Sequence, residues 1–287
     1  MTITRRQILS SVSTLPLARL LDAATASGPI LGVMTYSYRA LPQVPGTERV
    51  DGEIEALKTN GARDIEFYES ELQPTAKAED LARWRAASSL DRLAGIKKKL
   101  DAANVIMHAY TVNYQTSMTD ADLEATFAQA KTLGTQVIAT STRVAMAPRL
   151  APLADKHKIF VAFHGHSNTK DPNEFATPES FDMALAQSRY FRINLDIGHF
   201  FAAGYDPVAY IQRHHANITH LHIKDRKKND GPNMPWGEGD TPIKEVLLLL
   251  KKNRYALPAL VEYEYRGAGT PVEETQKCLD YMRRAVA

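Results

Sequence analysis

Eight short apolar runs alternate along the chain with longer stretches in which apolar residues recur every three or four positions. The longer stretches, such as Leu81–Leu100, Leu123–Leu133 and Ile243–Leu250, have helical periodicity. The short runs are nearly continuous in apolar residues, which is typical of parallel strands buried on both faces. They are Ile30–Tyr36, Arg63–Phe67, Asn104–Ala109, Gln136–Thr140, Ile159–Phe163, Phe191–Asp196, Ile218–Ile223 and Pro258–Tyr263.

Eight βα units over roughly 260 residues match the size of a (β/α)8 barrel, which is typically about 250 residues. The pattern therefore predicts an α/β fold, a single (β/α)8 TIM barrel over residues 27–287. A doubly wound open sheet is the competing fold, but its dinucleotide-binding form carries a glycine-rich turn after the first strand. Gly28 and Gly32 are the glycines in that region, and they form no GxGxxG motif.

The longest irregular stretch, Arg226–Thr241, follows the seventh apolar run. It contains Asp230-Gly231-Pro232 and Gly237-Glu238-Gly239, which are typical of turns. In a barrel this stretch lies on the face where the strands end, so we expect it to act as a flap over the site.

Residues 1–26 have the features of an export signal. Thr4–Leu9 resembles the twin-arginine motif, Ser10–Leu21 is mildly apolar, and Ala24–Ala26 fits the small-x-small pattern of a cleavage site. We therefore predict a twin-arginine signal peptide and a periplasmic or secreted location. The alternative, kept open by Arg19 within the apolar stretch, is an amphipathic helix that begins the mature fold.

The composition, 44% hydrophobic and 24% charged in 287 residues, is that of an ordinary globular protein. Cys278 is the single cysteine, so an internal disulfide and a thiolate cluster are excluded and any metal must be bound by His, Asp or Glu. The net charge of +2 is accounted for by residues 1–26, and a neutral body argues against nucleic-acid binding. After residue 30 no apolar run approaches the roughly 18 residues of a membrane span.

Metal-ligating residue types occur at the end of each of the last four predicted strands. In a barrel, the carboxyl ends of the strands form a ring around one mouth, so residues far apart in sequence converge there. Two imidazoles and two carboxylates suit one divalent transition metal (Mn, Zn, Fe or Co) better than Ca or Mg. Instead of binding metal, Asp196 could cap the following turn, and Glu264 is expected to be a solvated or loop-pairing group. The candidate ligands are His164, Asp196, His222 and Glu262, with His166 as the substitute for His164.

Four motifs resemble the sugar phosphate isomerase/epimerase family of xylose isomerase-like barrels, the AP endonuclease family 2 type. They are Leu195–His199, His222–Asp225, Gly237–Gly239 and Glu262. The resemblance implies a divalent metal bound by Glu, Asp, His and Glu on strands five to eight. Asp196, His222 and Glu262 match the last three, whereas His164 stands where many members have the first glutamate. Since the epimerases of the family use both glutamates as acid and base on opposite faces of the substrate carbon, two-base epimerisation is in doubt here.

The chemistry that such a site supports is proton transfer next to a carbonyl, where a metal stabilises the enediolate. We predict Glu262 as the base, with His199 and Lys224 relaying protons or stabilising negative charge. Lys224 and Asp225 could instead form an internal ion pair, and the aromatic residues Trp236 and Tyr36 could instead contribute to packing. The predicted substrate-binding residues are Glu66, His108, His166, Asp225 and Trp236, with Tyr36 as a further ring that could stack on a sugar.

Three functions follow from these features. The first is a divalent-metal-dependent isomerase or epimerase acting on a sugar or keto-sugar. The second is a metal-dependent lyase or hydrolase that eliminates from an oxidised keto sugar or glycoside, because one base and a metal suffice for that reaction. The third is a non-catalytic periplasmic barrel that binds a sugar or metal, since fold does not imply function. The expected partner is a small carbohydrate, without nucleic acid or membrane embedding, and the sequence leaves homo-oligomerisation open.

Overall fold

A computed structural model describes residues 29–72 and 90–287, and within these ranges eight parallel strands close into a barrel. Around the barrel the strand order is β1-β10-β7-β6-β5-β4-β3-β2, and every neighbouring pair is parallel. The predicted (β/α)8 barrel is confirmed. The predicted signal peptide, residues 1–26, lies outside the described residues.

The barrel strands are β1 (Leu31–Met34), β2 (Asp64–Tyr68), β3 (Ile106–Thr111), β4 (Val137–Thr140), β5 (Phe160–His164), β6 (Phe191–Asp196), β7 (Ile218–Ile223) and β10 (Ala259–Val261). A two-stranded antiparallel hairpin, β8 (Asp225–Arg226) and β9 (Asn233–Met234), follows β7. Each of the eight apolar runs contains or overlaps one barrel strand, because strands buried on both faces are nearly continuous in apolar residues.

The α-helices within the described residues pack around the barrel. They are α1 (Arg49–Thr59), α2 (Glu69–Leu72), α3 (Leu90–Ala102), α4 (Asp120–Leu133), α5 (Ala147–His157), α6 (Pro178–Leu185), α7 (Ile197–Ala202), α8 (Pro207–His214), α9 (Ile243–Asn253) and α10 (Pro271–Val286). Single 3-10 turns occur at Thr35–Tyr38, Val144–Met146 and His215–Asn217. Of the helix predicted over Leu81–Leu100, the part from Leu90 onward lies within the described residues and is helical.

Local capping determines where several helices begin and end. Thr119 forms a capping box with Asp122 at the start of α4, and Thr270 forms one with Glu273 at the start of α10. Gly134 ends α4 with a φ of 80°, a left-handed conformation that glycine adopts without steric cost. These signals place the helix boundaries independently of the barrel.

Strand register places the polar ends of β5, β6 and β7 side by side. His164 is opposite Asn194, and Asp196 is opposite His222. A register shift between Ile193 and Asn194 brings Asn194 opposite His220. Because alternate residues of a strand share a face, Asn194 and Asp196 point to the same side of the barrel.

No helix within the described ranges is long and apolar enough to cross a membrane.

One buried carboxyl group of the outer layer makes stability depend on pH. Glu53 of α1 is fully buried, and Arg49 Nε lies 3.2 Å from its Oε1. Burial raises the pKa of Glu53 to about 8, although Arg49 acts in the opposite direction. The folded protein therefore holds this proton more tightly than the unfolded chain, and the stability linked to it is lost progressively as pH rises from about 4.5 to about 8.

We expect Glu53→Gln to remove this pH dependence, because the amide is neutral at every pH. The variant should gain Tm relative to the wild type as pH rises from 5 to 9, by about 3 °C or more at pH 9. Differential scanning calorimetry at pH 5, 7 and 9 measures the difference, and Glu55→Gln, on an exposed position of the same helix, is the control. A constant difference across this range would show that Glu53 is already ionised at neutral pH.

Candidate active site

The four predicted ligands meet at the carboxyl end of the barrel. His164 and Asp196 end β5 and β6, His222 lies in β7, and Glu262 directly follows β10. All four are buried, and one donor atom from each falls within 4.8 Å of the others. His164, His222 and Glu262 also line a cavity of about 230 Å³. The sequence thus identified a set of side chains that the fold brings together.

The donor set fits a divalent ion. The buried Nδ1 of His164 has no hydrogen-bond partner among the described residues. Asp196 uses Oδ1 to accept the backbone N–H of His199 at 2.7 Å, so it caps α7 while Oδ2 remains on the side of the other ligands. Burial raises the pKa of Asp196 to about 7, although the ammonium of Lys224 acts against this. Buried imidazole and carboxylate donors of this kind bind transition metals.

Lys224 is the counter-charge of the site. Its buried ammonium lies 2.9 Å from Asp196 Oδ2, 2.9 Å from Glu262 Oε2 and 2.6 Å from Glu264 Oε2. Burial alone would lower the pKa of Lys224, but the three carboxylates outweigh it and raise the pKa. Burial alone would raise the pKa of Glu262, but Lys224 and His222 hold it well below its usual range. Lys224 is therefore a fixed positive charge beside two candidate metal ligands.

His222 is held between two carboxylates. Its Nδ1 lies 2.9 Å from Glu262 Oε2, and its Nε2 lies 2.6 Å from Glu66 Oε2. Burial would lower the pKa of His222, but Glu66 and Glu262 outweigh it and raise the pKa to about 10. A metal ligand on Nδ1 with a carboxylate on Nε2 is the arrangement that orients many metal-binding histidines.

Glu66 was predicted to bind substrate, and the structure places it elsewhere. It is fully buried below the cavity, where Oε2 lies 3.0 Å from His220 Nε2 as well as contacting His222, and Oε1 accepts from the Thr111 hydroxyl. Both oxygens are thus already used by protein groups. Glu66 therefore positions His222, and it is not among the residues that line the cavity.

Three other predicted substrate contacts also need correction. His108 is not at the end of β3, since the strand continues to Thr111, and its Nε2 lies 2.8 Å from Oδ1 of Asp64 at the start of β2. Trp236 packs edge-on against Tyr281 of α10, with ring centroids 6.0 Å apart, outside the cavity. Asp225 turns away from the site because neighbouring residues of an extended chain point to opposite sides.

Asp225 and Arg226 fix the loop that follows β7. The Asp225 carboxylate accepts the backbone N–H groups of Gly237, Gly239 and Thr241 at 2.8, 2.9 and 3.2 Å. The internal Lys224–Asp225 ion pair is therefore absent from this part of the described chain. A Cβ on Gly239 would overlap the same carboxylate, so glycine is required there. The stretch predicted to act as a flap, Arg226–Thr241, is thus held by hydrogen bonds to Asp225, just after β7.

His166 and His199 lie beside His164, with ring centroids 5.1 and 6.0 Å from the centroid of its ring. His166 lines the cavity, with Nε2 3.2 Å from the Ser141 hydroxyl and Nδ1 3.2 Å from Glu174 Oε1. His199 accepts at Nδ1 from Arg226 at 2.6 Å. Burial lowers the pKa of both histidines. The glycine between His164 and His166 is needed because a Cβ on Gly165 would lie 2.9 Å from Phe181 Cζ.

Several cavity residues were not predicted from the sequence. Asn194 carries a weak signal, because it is a polar residue of β6 two positions before Asp196. Asn113 and Ser141 follow β3 and β4 closely, which is the signal that identified the candidate metal ligands, but their residue types are too common in loops to be distinctive. Glu264, expected to be solvated, pairs with Lys224. The residues lining the cavity besides the predicted ones are Met34, Tyr68, Thr111, Asn113, Ser141, Asn194 and Glu264.

Comparison with known proteins agrees with this architecture. Residues 145–285 match the family model described as xylose isomerase-like TIM barrel. L-ribulose-5-phosphate 3-epimerase UlaE of Salmonella paratyphi A is 28% identical over 119 residues, which are 40% of this chain and 42% of that protein. The chain thus matches less than half the length of this curated relative.

Solved structures superpose on about nine-tenths of the chain. The probable 3-DHS dehydratase AsbF of Bacillus anthracis superposes with a TM-score of 0.64 at 16% identity, covering 89% of this chain and 98% of that one. The IOLI protein with a binding zinc atom gives a TM-score of 0.66 at 15% identity, covering 90% and 98%. The closed eight-stranded barrel, together with the match of residues 145–285, shows a (β/α)8 barrel fold of the xylose isomerase-like type.

We expect His222→Ala and Asp196→Ala to lose metal while remaining folded. Loss of a residue that merely orients a ligand costs about 10–100-fold in metal affinity, so loss of a ligand should cost more. After incubation with Mn²⁺ or Zn²⁺ and gel filtration, mass spectrometry should find about one ion per wild-type chain and far less in either variant. His157→Ala on α5 is the control, and retention of metal by both ligand variants would overturn the site.

Lys224→Met should destabilise the metal-free protein, because buried carboxylates lose their counter-charge. Breaking a buried pair costs about 3–5 kcal/mol, which lowers Tm by about 6 °C or more in a chain of this size. Mn²⁺ or Zn²⁺ should raise Tm more in this variant than in the wild type, because the ion supplies the missing positive charge. Thermal melts with and without chelator test this, with Lys227→Met, a partly exposed lysine, as control. An unchanged Tm without metal would contradict the assigned role.

Proposed function

We propose that the chain is a divalent-metal-dependent isomerase that moves a proton at the carbon next to the carbonyl group of a sugar or keto-sugar. The observation that carries the proposal is the cluster of His164, Asp196, His222 and Glu262, three of which line the cavity at the carboxyl end of the barrel. A divalent ion held by these side chains would act as a Lewis acid toward a carbonyl oxygen. The epimerase, dehydratase and zinc-binding proteins among its relatives support this class of chemistry.

The cavity fits a small polyhydroxylated ligand. Its volume of about 230 Å³ lies below the range of about 300–1,000 Å³ of pockets for drug-sized ligands. Asn113, Ser141 and Asn194 present hydrogen-bonding groups suited to sugar hydroxyls. Tyr36 and Tyr68, with ring centroids 6.2 Å apart, add aromatic surface to the wall on which a sugar ring can pack.

Lys224 supplies the electrostatic part of the proposed reaction. Proton loss next to a carbonyl places negative charge on the carbonyl oxygen, and a fixed positive charge in a buried site stabilises it. The ammonium of Lys224 is held in place by Asp196, Glu262 and Glu264, so little reorganisation is needed when charge develops. The same contacts reduce the basicity of Glu262, which makes it a weaker base than the sequence suggested.

Elimination is the second candidate function, and His164 favours it. A buried histidine occupies the position where two-base epimerases carry a glutamate, so the site lacks that carboxylate as an opposing base. A lyase acting on an oxidised keto sugar or glycoside needs one base, an acid and charge stabilisation.

We propose a periplasmic or extracellular place of action, which the twin-arginine-like Thr4–Leu9 segment supports.

The test is incubation of the Mn²⁺- or Zn²⁺-loaded protein in D₂O with aldoses, ketoses, their phosphates and 3-keto-glucosides. An isomerase interconverts aldose and ketose, with or without carbon-bound deuterium, and no other change of mass. A lyase releases water or an aglycone. NMR and mass spectrometry distinguish these products.

Asp196→Asn is expected to reduce turnover by about 100-fold or more, because it removes a ligand carboxylate. Asp240→Asn, in the exposed part of the loop after β9, is the control. Absence of turnover with every sugar, together with ligand-induced stabilisation by some of them, would replace the enzyme with a sugar-binding barrel.

A further inference from the structure

The wall of the cavity carries negative charge. Glu262 and Glu264 line it, and among its lining residues in the described ranges none is a lysine or an arginine. Oε2 of Glu264 lies 2.6 Å from Lys224 Nζ and accepts from Asn233 Nδ2 at 3.3 Å. No hydrogen bond within the described part of the chain engages Oε1 of Glu264, so this oxygen can accept a hydrogen bond from a ligand hydroxyl.

Three cationic side chains lie in or next to the site, and protein groups already bind each of them. The buried ammonium of Lys224 contacts three carboxylates. Arg226 donates to a hydroxyl, a backbone carbonyl and an imidazole nitrogen. Nη1 of Arg39 donates to the carbonyls of Tyr36 and Tyr263 at 3.0 and 2.6 Å, and its guanidinium lies 4.6 Å from the centroid of the Tyr36 ring. An anionic ligand would have to displace one of these contacts.

The loops after the seventh and eighth barrel strands are where TIM barrels frequently bind phosphate, through backbone N–H groups. In this chain, carboxylates occupy several N–H groups of those loops. The Asp225 carboxylate accepts three of them in the loop after β7. After β10, Glu274 accepts the N–H of Gly269 at 2.8 Å, and Glu273 accepts that of Thr270 at 2.8 Å. Groups suited to a phosphate are thus filled from within the protein.

The charge balance of the site points in the same direction. The carboxylates that surround Lys224 and His222 are Glu66, Asp196, Glu262 and Glu264. Histidines that bind a metal are neutral, so Lys224 and one divalent ion together would leave one negative charge in excess. A charge of the same sign brought into such a site is repelled and lowers affinity about 100-fold or more.

We propose that the cavity takes an uncharged, unphosphorylated sugar, and that Glu264 is a specificity-determining residue that excludes phosphate and carboxylate groups. The proposal rests on the proposed function and names its substrate class. Oε1 of Glu264 accepts a sugar hydroxyl, whereas an anionic group at the same place meets a carboxylate. The relative named as an epimerase of L-ribulose 5-phosphate therefore differs from this chain in the charge of its substrate.

The test compares sugars with their own phosphate esters on the whole chain, both metal-free and loaded with Zn²⁺. The pairs are D-fructose and its 6-phosphate, D-glucose and its 6-phosphate, D-xylulose and its 5-phosphate, and L-ribulose and its 5-phosphate. Saturation-transfer difference NMR should show binding of at least one free sugar, with its ester bound about 100-fold more weakly. Inorganic phosphate should not displace the sugar at equal concentration.

Glu264→Gln tests the assigned residue, because the amide keeps the shape of the side chain and removes one negative charge. We expect the discrimination between sugar and ester to fall about 10-fold or more, through tighter binding of the ester. Glu238→Gln, on an exposed position outside the cavity, is the matched control. Asn113→Lys, which adds a positive charge to the cavity wall, tests the same prediction if Glu264→Gln does not fold.

The outcomes separate this proposal from the proposed function. An ester that binds as tightly as its parent sugar, or no binding of any free sugar, would overturn the assigned substrate class. Turnover of esters alone would do the same while leaving the isomerase function in place. Binding of free sugars without turnover of any would support the substrate class and remove the proposed function. Unchanged discrimination in folded Glu264→Gln would overturn the role of Glu264.

Discussion

The balance of buried charge at the carboxyl end of the barrel is the constraint on which the site depends. Asp196, Glu262 and Glu264 surround the ammonium of Lys224, and Glu66 and Glu262 surround His222. Buried ions are costly unless they are paired and hydrogen-bonded, so these groups must be placed together or not at all. The same balance leaves room for a further divalent cation, because carboxylates outnumber the positive groups they surround.

Backbone packing around Lys224 keeps this charge in place. A Cβ on Gly198 would lie 2.8 Å from the Lys224 carbonyl oxygen, so the first turn of α7 can approach β7 only with glycine there. Asp225 stabilises the next loop by accepting hydrogen bonds from its backbone N–H groups. Arg226 stabilises it by donating to the Gly231 carbonyl and to His199. The ion network, His199 and the loop after β7 are therefore parts of one hydrogen-bonded unit.

Sequence patterns placed the candidate ligands at the site more accurately than the candidate substrate contacts, for a physical reason. His164, Asp196, His222 and Glu262 each lie at or near a strand end, and barrel closure brings strand ends together whatever the loops do. His108 was predicted at the wrong place because β3 continues to Thr111. Glu66 was predicted to bind substrate because the sequence does not distinguish a buried carboxylate paired with histidines from one that faces a ligand. Trp236 lies in a loop whose path depends on the Asp225 contacts.

The sequence by itself determined the barrel, its strand positions and the convergence of four candidate ligands, because these follow from periodicity and from residue types at strand ends. Only the tertiary structure decided that Arg226 donates to Nδ1 of His199, that Lys224 pairs with three carboxylates rather than with Asp225, and that Glu66 contacts His222. Those relations join residues up to 156 positions apart. They depend on distances and angles across the barrel, which residue order does not encode locally.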